Sequence, residues 1–400
     1  MLLSVPVGAQ TASVSERIRI QGAYAHQDRQ TPSDDVAAQA VPELSFLLVG
    51  KRTQLRVTYT LLASVHTALP VDFSNRLLLS SSFELTKRTT LLVSAEGGQS
   101  SVGNALVTRG ADQAAVGTLP SSRTQLVNAH VSEALAWEAS PVVRLGEAAD
   151  ASYVTTLDAP TASASTFANV VLSADRSWVR DAIGVDLRAA YGRTEADGTP
   201  TLTSIPFSVT PHYRRDLDAS LSVYAAAGPV VIYSPDPGSP TLVRPYVSAI
   251  GDYLVGDDTT VELDGSIGTQ PSALTSQLLY AENANLRLTV PISRHHRVRG
   301  AATLGYMHGS VLARRDGVVQ PPAFDTVVAD AGATWDATPL VGIFARYQLY
   351  DQLASTANGV ATPSLLRSVV FVGIQLSSPT DGVRVPARFS RRVDGNDPTR

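Results

Sequence analysis

Few residues in this chain have types and spacing suited to chemistry. Asn128, His130 and Ser132 alternate along one short stretch, Ser64 and His66 repeat the same step, and His295 and His296 stand side by side. A nucleophile–base–acid site needs hydrogen bonds of about 2.6–3.2 Å. Residues i and i+2 of an extended chain lie about 6.5–7 Å apart, so neighbours in these rows do not touch. No Asp or Glu adjoins His295-His296 at metal-ligand spacing, and HExxH, Gly-rich phosphate-loop and calcium-loop patterns are all missing from the sequence. There is no cysteine, which removes disulfides, thiolate metal sites and thiol nucleophiles. These patterns predict no catalytic centre, no metal site and no cofactor. The net charge of −4 also lacks the basic excess of a nucleic-acid-binding surface.

The polar residues that remain are ordered by a different rule. In the stretch from Val41 to His66, Leu55, Val57, Tyr59, Leu61, Ala63 and Val65 alternate with Gln54, Arg56, Thr58, Thr60, Ser64 and His66; Leu62 is the one apolar intruder on the polar side. Strict period-2 alternation over about a dozen residues predicts a β-strand with one apolar and one polar face. A soluble strand needs about 5–6 residues and a tilted membrane-spanning one about 9–11. The stretch therefore predicts a transmembrane hairpin turning at Gly50-Lys51-Arg52-Thr53.

The pattern recurs along the chain. Arg17–His26 stands alone. Hairpins follow over 76–98 (turn Thr86-Lys87-Arg88-Thr89, nearly a copy of the first), 124–155, 166–192, 202–228, 242–268, 277–307 and 324–351, and a last strand spans Leu365–Leu376. Short turns alternate with longer links, as in an antiparallel barrel with short turns on one rim and long loops on the other. The expectation is an all-β, up-and-down transmembrane barrel over residues 16–376 with about 18 strands. Sixteen is the alternative, because Pro206 and Pro211 interrupt one segment and Thr259–Gly268 is weak. An even count puts both termini on the short-turn side. Residues 1–15 are expected to be the remnant of a secretory signal and its leader, on the strength of Val7-Gly8-Ala9 before Gln10. Residues 377–400, polar and arginine-rich, are expected to be a disordered periplasmic tail.

Strand parity converts this fold into a list of inward-facing charges: Arg56, Glu84, Glu96, Arg144, Asp150, Asp186, Arg188, Asp218, Arg244, Asp252, Glu262, Asp264, Arg287, Arg299, Asp330, Arg346 and Arg367. The mixture requires water, since unpaired charges in a dry interior cost several kcal/mol each. It serves either as the wall of an aqueous conduit or as cross-strand ion pairs that scaffold the wall. Trp137, Trp178, Trp335, Tyr213, Tyr253 and Tyr350 fall at strand ends, as an interfacial girdle would.

The span Arg17–Leu376 resembles bacterial outer-membrane β-barrels of the porin type. In strand count and flavour it also looks like the 18-stranded barrels encoded beside polysaccharide-export proteins. The last strand departs from the pattern: it ends on Leu376, not on an aromatic residue, and a 24-residue tail follows. The resemblance implies a passage for small solutes or exported polysaccharide across the outer membrane. It also implies contact with outer-membrane lipid, and either a periplasmic export partner or a homo-oligomer. In porin-type barrels a third loop often enters the lumen, which makes the link at 101–121, with Arg109 and Asp112, the constriction candidate. The competing expectation is a non-conducting barrel that presents an adhesion or scaffolding surface.

Overall fold

A computed structural model describes residues 11–28, 33–67, 71–101, 125–157, 163–196, 201–236, 239–256, 258–271, 278–293, 297–311, 323–353, 355–357, 360–362 and 364–378. Eighteen strands form one antiparallel sheet. They are β1 (Thr11–Asp28), β2 (Ser33–Val49), β3 (Thr53–His66), β4 (Asp72–Thr86), β5 (Thr89–Ser101), β6 (Gln125–Ser140), β7 (Val143–Leu157), β8 (Ser163–Ser177) and β9 (Asp181–Ala196), then β10 (Leu202–Asp216), β11 (Leu221–Tyr233), β12 (Leu242–Val255), β13 (Thr259–Pro271), β14 (Leu278–Pro291), β15 (Val298–Val311), β16 (Phe324–Asp336), β17 (Val341–Leu353) and β20 (Leu365–Ser377). A small hairpin, β18 (Ser355–Ala357) with β19 (Val360–Thr362), sits in the link before β20. Each strand pairs with its sequence neighbour, and β1 pairs with β20 from Arg17↔Ser377 to Asp28↔Leu366. That last pairing closes the ring and leaves no free edge in the main sheet, which is the condition for a sheet to sit in hydrocarbon.

The strands are 13–18 residues long. At about 3.3 Å per residue this exceeds what a tilted span of the bilayer core requires, so both rims project beyond it. The weak segments are full strands. Pro211 lacks the N–H that would bond across, and the β10–β11 ladder lapses between Ser208 and His212, then resumes in the same register. Glycine matters at the β12–β13 turn, where Gly256 has φ of 65°. Single-residue irregularities between Glu84 and Thr86 and between Glu138 and Ser140 let two hairpins turn at the short rim.

Two boundaries differ from expectation. Residues 11–15, assigned to a leader, form the start of β1 and pair with β2 from Thr11↔Val49. Ser377, assigned to the tail, is the last residue of β20, and Ser378 follows with its amide bonded to the Glu16 carbonyl. Both described ends of the chain thus lie at the short-turn rim. Hydrophobic pattern misses them because polar Thr11, Ser13 and Ser15 carry no apolar period, while backbone pairing needs none.

Candidate functional site

The two faces of the wall separate by side-chain type. On β3, Tyr59 and Val65 stand exposed on the outer face, while Leu62 and Ser64 of the other row are buried. Register carries the assignment around the ring, because directly opposed residues share a face. The outer row includes Ile18, Ile20, Phe73, Leu77, Val131, Leu172, Leu187, Phe207, Val243, Leu263, Leu304, Val372 and Ile374, all exposed. An aliphatic belt of this kind, interrupted by Glu133 and Glu147 on β6 and β7, is a lipid-facing surface. Trp137, Trp335, Tyr213 and Tyr253 lie on it near strand ends, and Trp178 lies in a turn at its edge. Tyr350 does not belong to this girdle. It faces inward, is 6% exposed, and donates its hydroxyl to Gln352 Oε1 at 3.1 Å.

The inner face holds most of the charges of the strands, Glu133, Glu147 and Glu282 being exceptions on the outer one. On β13–β14, Arg287 Nη1 lies 2.7 Å from Glu262 Oε1 and Nη2 lies 4.0 Å from Asp264, which also accepts from Asn285 Nδ2 at 2.8 Å. On β16–β17, Arg346 Nε donates to both oxygens of Asp330, at 3.0 and 2.7 Å, and Gln348 adds a bond of 2.7 Å. Arg76 on β4 meets Glu96 on β5 at 2.7 Å, and Arg299 meets Asp336 at 2.8 Å. Asp150 accepts from Asn169 at 3.0 Å. Pairs this open to water contribute tenths of a kcal/mol, so they pattern charge along the wall more than they hold it together.

The densest polar cluster spans β8–β12. Asp175, Gly184 and His212 form one lateral row, since Asp175↔Gly184 and Gly184↔His212 are register partners. His212 Nε2 lies 2.5 Å from Asp175 Oδ1, bridging over the glycine, and Nδ1 lies 3.4 Å from Asp186 Oδ2. A Cβ on Gly184 would collide with both His212 Nε2 and Asp175 Oδ1 and would stand 2.7 Å from Ala174 O. Tyr224 packs its ring 5.6 Å from the imidazole. Beside the cluster, the Arg188 guanidinium lies 5.2 Å from the centre of the Tyr246 ring; Arg244 on Tyr280 (5.9 Å) and Arg19 on Phe344 (5.4 Å) repeat the arrangement.

Of the charges predicted to face inward, Arg56, Glu84, Glu96, Arg144, Asp150, Asp186, Arg188, Arg244, Asp252, Glu262, Asp264, Arg287, Arg299, Asp330, Arg346 and Arg367 lie on the face opposite the aliphatic belt. Asp218 does not. It sits in the turn between β10 and β11, where its carboxylate accepts the amides of Ser220 (2.6 Å) and Leu221 (2.8 Å), and these bonds hold its pKa below the usual carboxylate value. Arg109 and Asp112 lie outside the described residues, as do His295 and His296. Ser64 is paired by register with Gln39, while Ser132 Oγ meets Ser94 Oγ at 2.6 Å. Neither hydroxyl is directed at the histidine in its own row. His66 instead bonds Asp35 at 2.6 Å.

Parity in the sequence was sufficient to find Arg17, Arg19, Arg76, Asp175 and His212, which share the inner face and were passed over. Parity does not show the apolar part of that face. Phe167, Val230 and Ile232 pack together with Leu242, Tyr246 and Tyr280; Val369 and Phe371 pack with Ala23, Ala37 and Phe344. Apart from Phe371, at mid-strand, and Phe344, near the short-turn end of β17, these residues lie toward the long-link ends of their strands, as do Leu126, Ser165, Thr326 and Gln352, each of these four 2% exposed or less. Toward the short-turn rim the inner face is open, with Arg299 at 61% and Arg17 at 45% side-chain exposure. The inner face is therefore open toward one end and closely packed over much of the other.

No family model matches the sequence, and no curated protein matches it. Solved structures similar to it are bacterial outer-membrane proteins. OccK2 (OpdF) of Pseudomonas aeruginosa, crystallised with glucuronate, aligns over 92% of this chain and 98% of its own at 9% identity and a TM-score of 0.45. The siderophore receptor PirA of the same organism covers 92% and 80% at 8% identity and 0.47. OccAB3 of Acinetobacter baumannii covers 91% and 99% at 10% identity and 0.42. Likenesses this distant bear on neither solute nor mechanism; the fold rests on the strand order of this chain.

Proposed function

We propose that the chain forms a water-filled pore in a bacterial outer membrane and passes small hydrophilic solutes without a cofactor. One observation carries this reading: a closed 18-stranded wall has an aliphatic outer belt and an inner face of charges open to water at the short-turn end. A ring of this strand number encloses more than its own side chains fill. The packed inner face at the long-link end favours small solutes over an exported polysaccharide, which needs width along the whole path. The same packing supports a second reading, a barrel that stays shut and serves as an adhesion or scaffolding surface. Planar-bilayer recording separates the two. Discrete, ohmic conductance steps are expected from the purified protein, and a barrel that inserts but never conducts overturns the pore.

A further inference from the structure

We infer that the short-turn rim at β2–β3 and β4–β5 docks the anionic headgroups of phospholipids in the leaflet that borders it. The inference rests on the membrane-barrel reading above. Both lysines of the chain are here, each followed by an arginine: Lys51-Arg52 and Lys87-Arg88. All four are exposed, and among the described residues none of their side chains has an ionic or hydrogen-bonding partner. The rim at β8–β11 is different. There Arg176 stacks on Trp178 at 5.4 Å, Arg180 donates to the Leu217 carbonyl, Arg214 meets Asp216, and Arg215 meets Asp181.

The two turns present these cations on fixed backbone. Gly50 N donates to Thr53 O at 2.7 Å, and the Arg52 carbonyl accepts from Glu84 N of the next hairpin at 2.8 Å, tying the turns side by side. In the second turn, Thr86 Oγ1 accepts from Arg88 N at 3.1 Å and bonds Thr89 Oγ1 at 2.9 Å, while Arg88 O accepts from Glu138 N at 2.8 Å. The neighbouring carboxylates, Glu84 and Glu138, belong to the inner face and are directed away from lipid.

Depth identifies the partner. Trp137 is register partner to Thr89 and stands 48% exposed on the outer belt, and Leu85 is exposed beside the same turn. An indole in this position sits among headgroups, so lysines and arginines just past it lie level with phosphates. Four unpaired cations at that depth match a phosphodiester carrying a net negative charge and discriminate against a zwitterionic headgroup.

The test compares retention of phosphatidylglycerol and phosphatidylcholine by the full chain, counted by native mass spectrometry after extraction from mixed vesicles. Wild type is expected to keep phosphatidylglycerol preferentially at low salt and to lose the preference as ionic strength rises. Each neutralised cation in K51Q/R52Q, K87Q/R88Q and the quadruple variant is expected to weaken retention about fivefold, while R214Q/R215Q leaves it unchanged. Equal retention of the two lipids by wild type, a preference insensitive to salt, or a quadruple variant that retains as well as wild type each overturns the inference. So does equally tight binding of soluble glycerol phosphate, which would make the ligand a free anion. The salt titration of wild type stands even if a variant fails to fold. Heat-resistant β-sheet dichroism in pure phosphatidylcholine reports the barrel itself, so loss of the barrel and loss of the lipid site are distinguishable.

Discussion

Gly184→Ala is the sharpest perturbation of the interior. The added methyl group would occupy the space over which His212 reaches Asp175, and it would stand 2.7 Å from the Ala174 carbonyl. Two costs follow. Forcing a methyl into a packed site costs about 1–3 kcal/mol. Pushing the imidazole off a carboxylate 2.5 Å away removes a bond whose loss is worth about 1–3 kcal/mol when both groups stay largely buried. Asp175 retains some contact with water (side-chain exposure 18%), which favours the lower half of the second range and an expected total of about 2–5 kcal/mol. Urea unfolding of the refolded barrel, followed by tryptophan fluorescence, measures it. The decisive comparison repeats Gly184→Ala in a His212→Ala background, where the ring is gone, the Asp175 side chain is free to swing aside, and the Ala174 carbonyl contact remains. There the cost is expected to fall to about 1 kcal/mol, giving a coupling of about 1–4 kcal/mol. A substitution within about 0.5 kcal/mol of wild type, or one equally costly in both backgrounds, refutes the idea that the glycine exists to seat this bridge.

Two further outcomes follow from one charge on the inner wall and one in a rim turn. Arg287→Gln leaves Glu262 and Asp264 without their shared cation, so the open channel should shift toward cations, by at most about fivefold in permeability ratio; an unchanged reversal potential under a salt gradient would place the trio off the ion path. Asp218, with its pKa held below the ordinary carboxylate value by the Ser220 and Leu221 amides, stabilises the β10–β11 turn above about pH 4, and that contribution is lost as pH falls through its lowered folded-state pKa. Asp218→Asn should therefore flatten the acid limb of urea midpoint against pH, and a wild-type slope in the variant would count against it.

The architecture was legible because a barrel writes its fold in a local signal. Alternation along β3 or β14 gives face, register parity and span length at once, and the rhythm of short turns and long links gives strand order. Prolines mislead in proportion to the ladder bonds they remove: three rungs of one ladder, at 209–211, are missing beside Pro211 while β10 continues through it. Parity was silent wherever an apolar residue faces inward. Leu62 stood out as an intruder because its neighbours were polar, but Phe167, Val230 and Phe371 look like any outer-belt residue until the opposite side of the ring is in place. Tyr350 was misassigned for the same reason. Asp218 was assigned a face although a turn residue has none. The bridge at His212 reaches a carboxylate two strands away because the glycine on the strand between leaves room, which no single strand reveals.

The seam between β1 and β20 has a consequence for how the molecule comes to exist. It joins residues as far apart in sequence as Glu16 and Ser378, which are separated by 362 positions. Every other junction in the ring is made by hairpins that can zip as soon as both arms are synthesised, with little loop entropy to overcome. The seam alone has to await the arrival of β20 beside β1. Until then the chain is an open ribbon with two unpaired edges, each a template for a strand from another molecule. Commitment to a solitary ring is therefore a single event that follows all the hairpins, and β20 decides it.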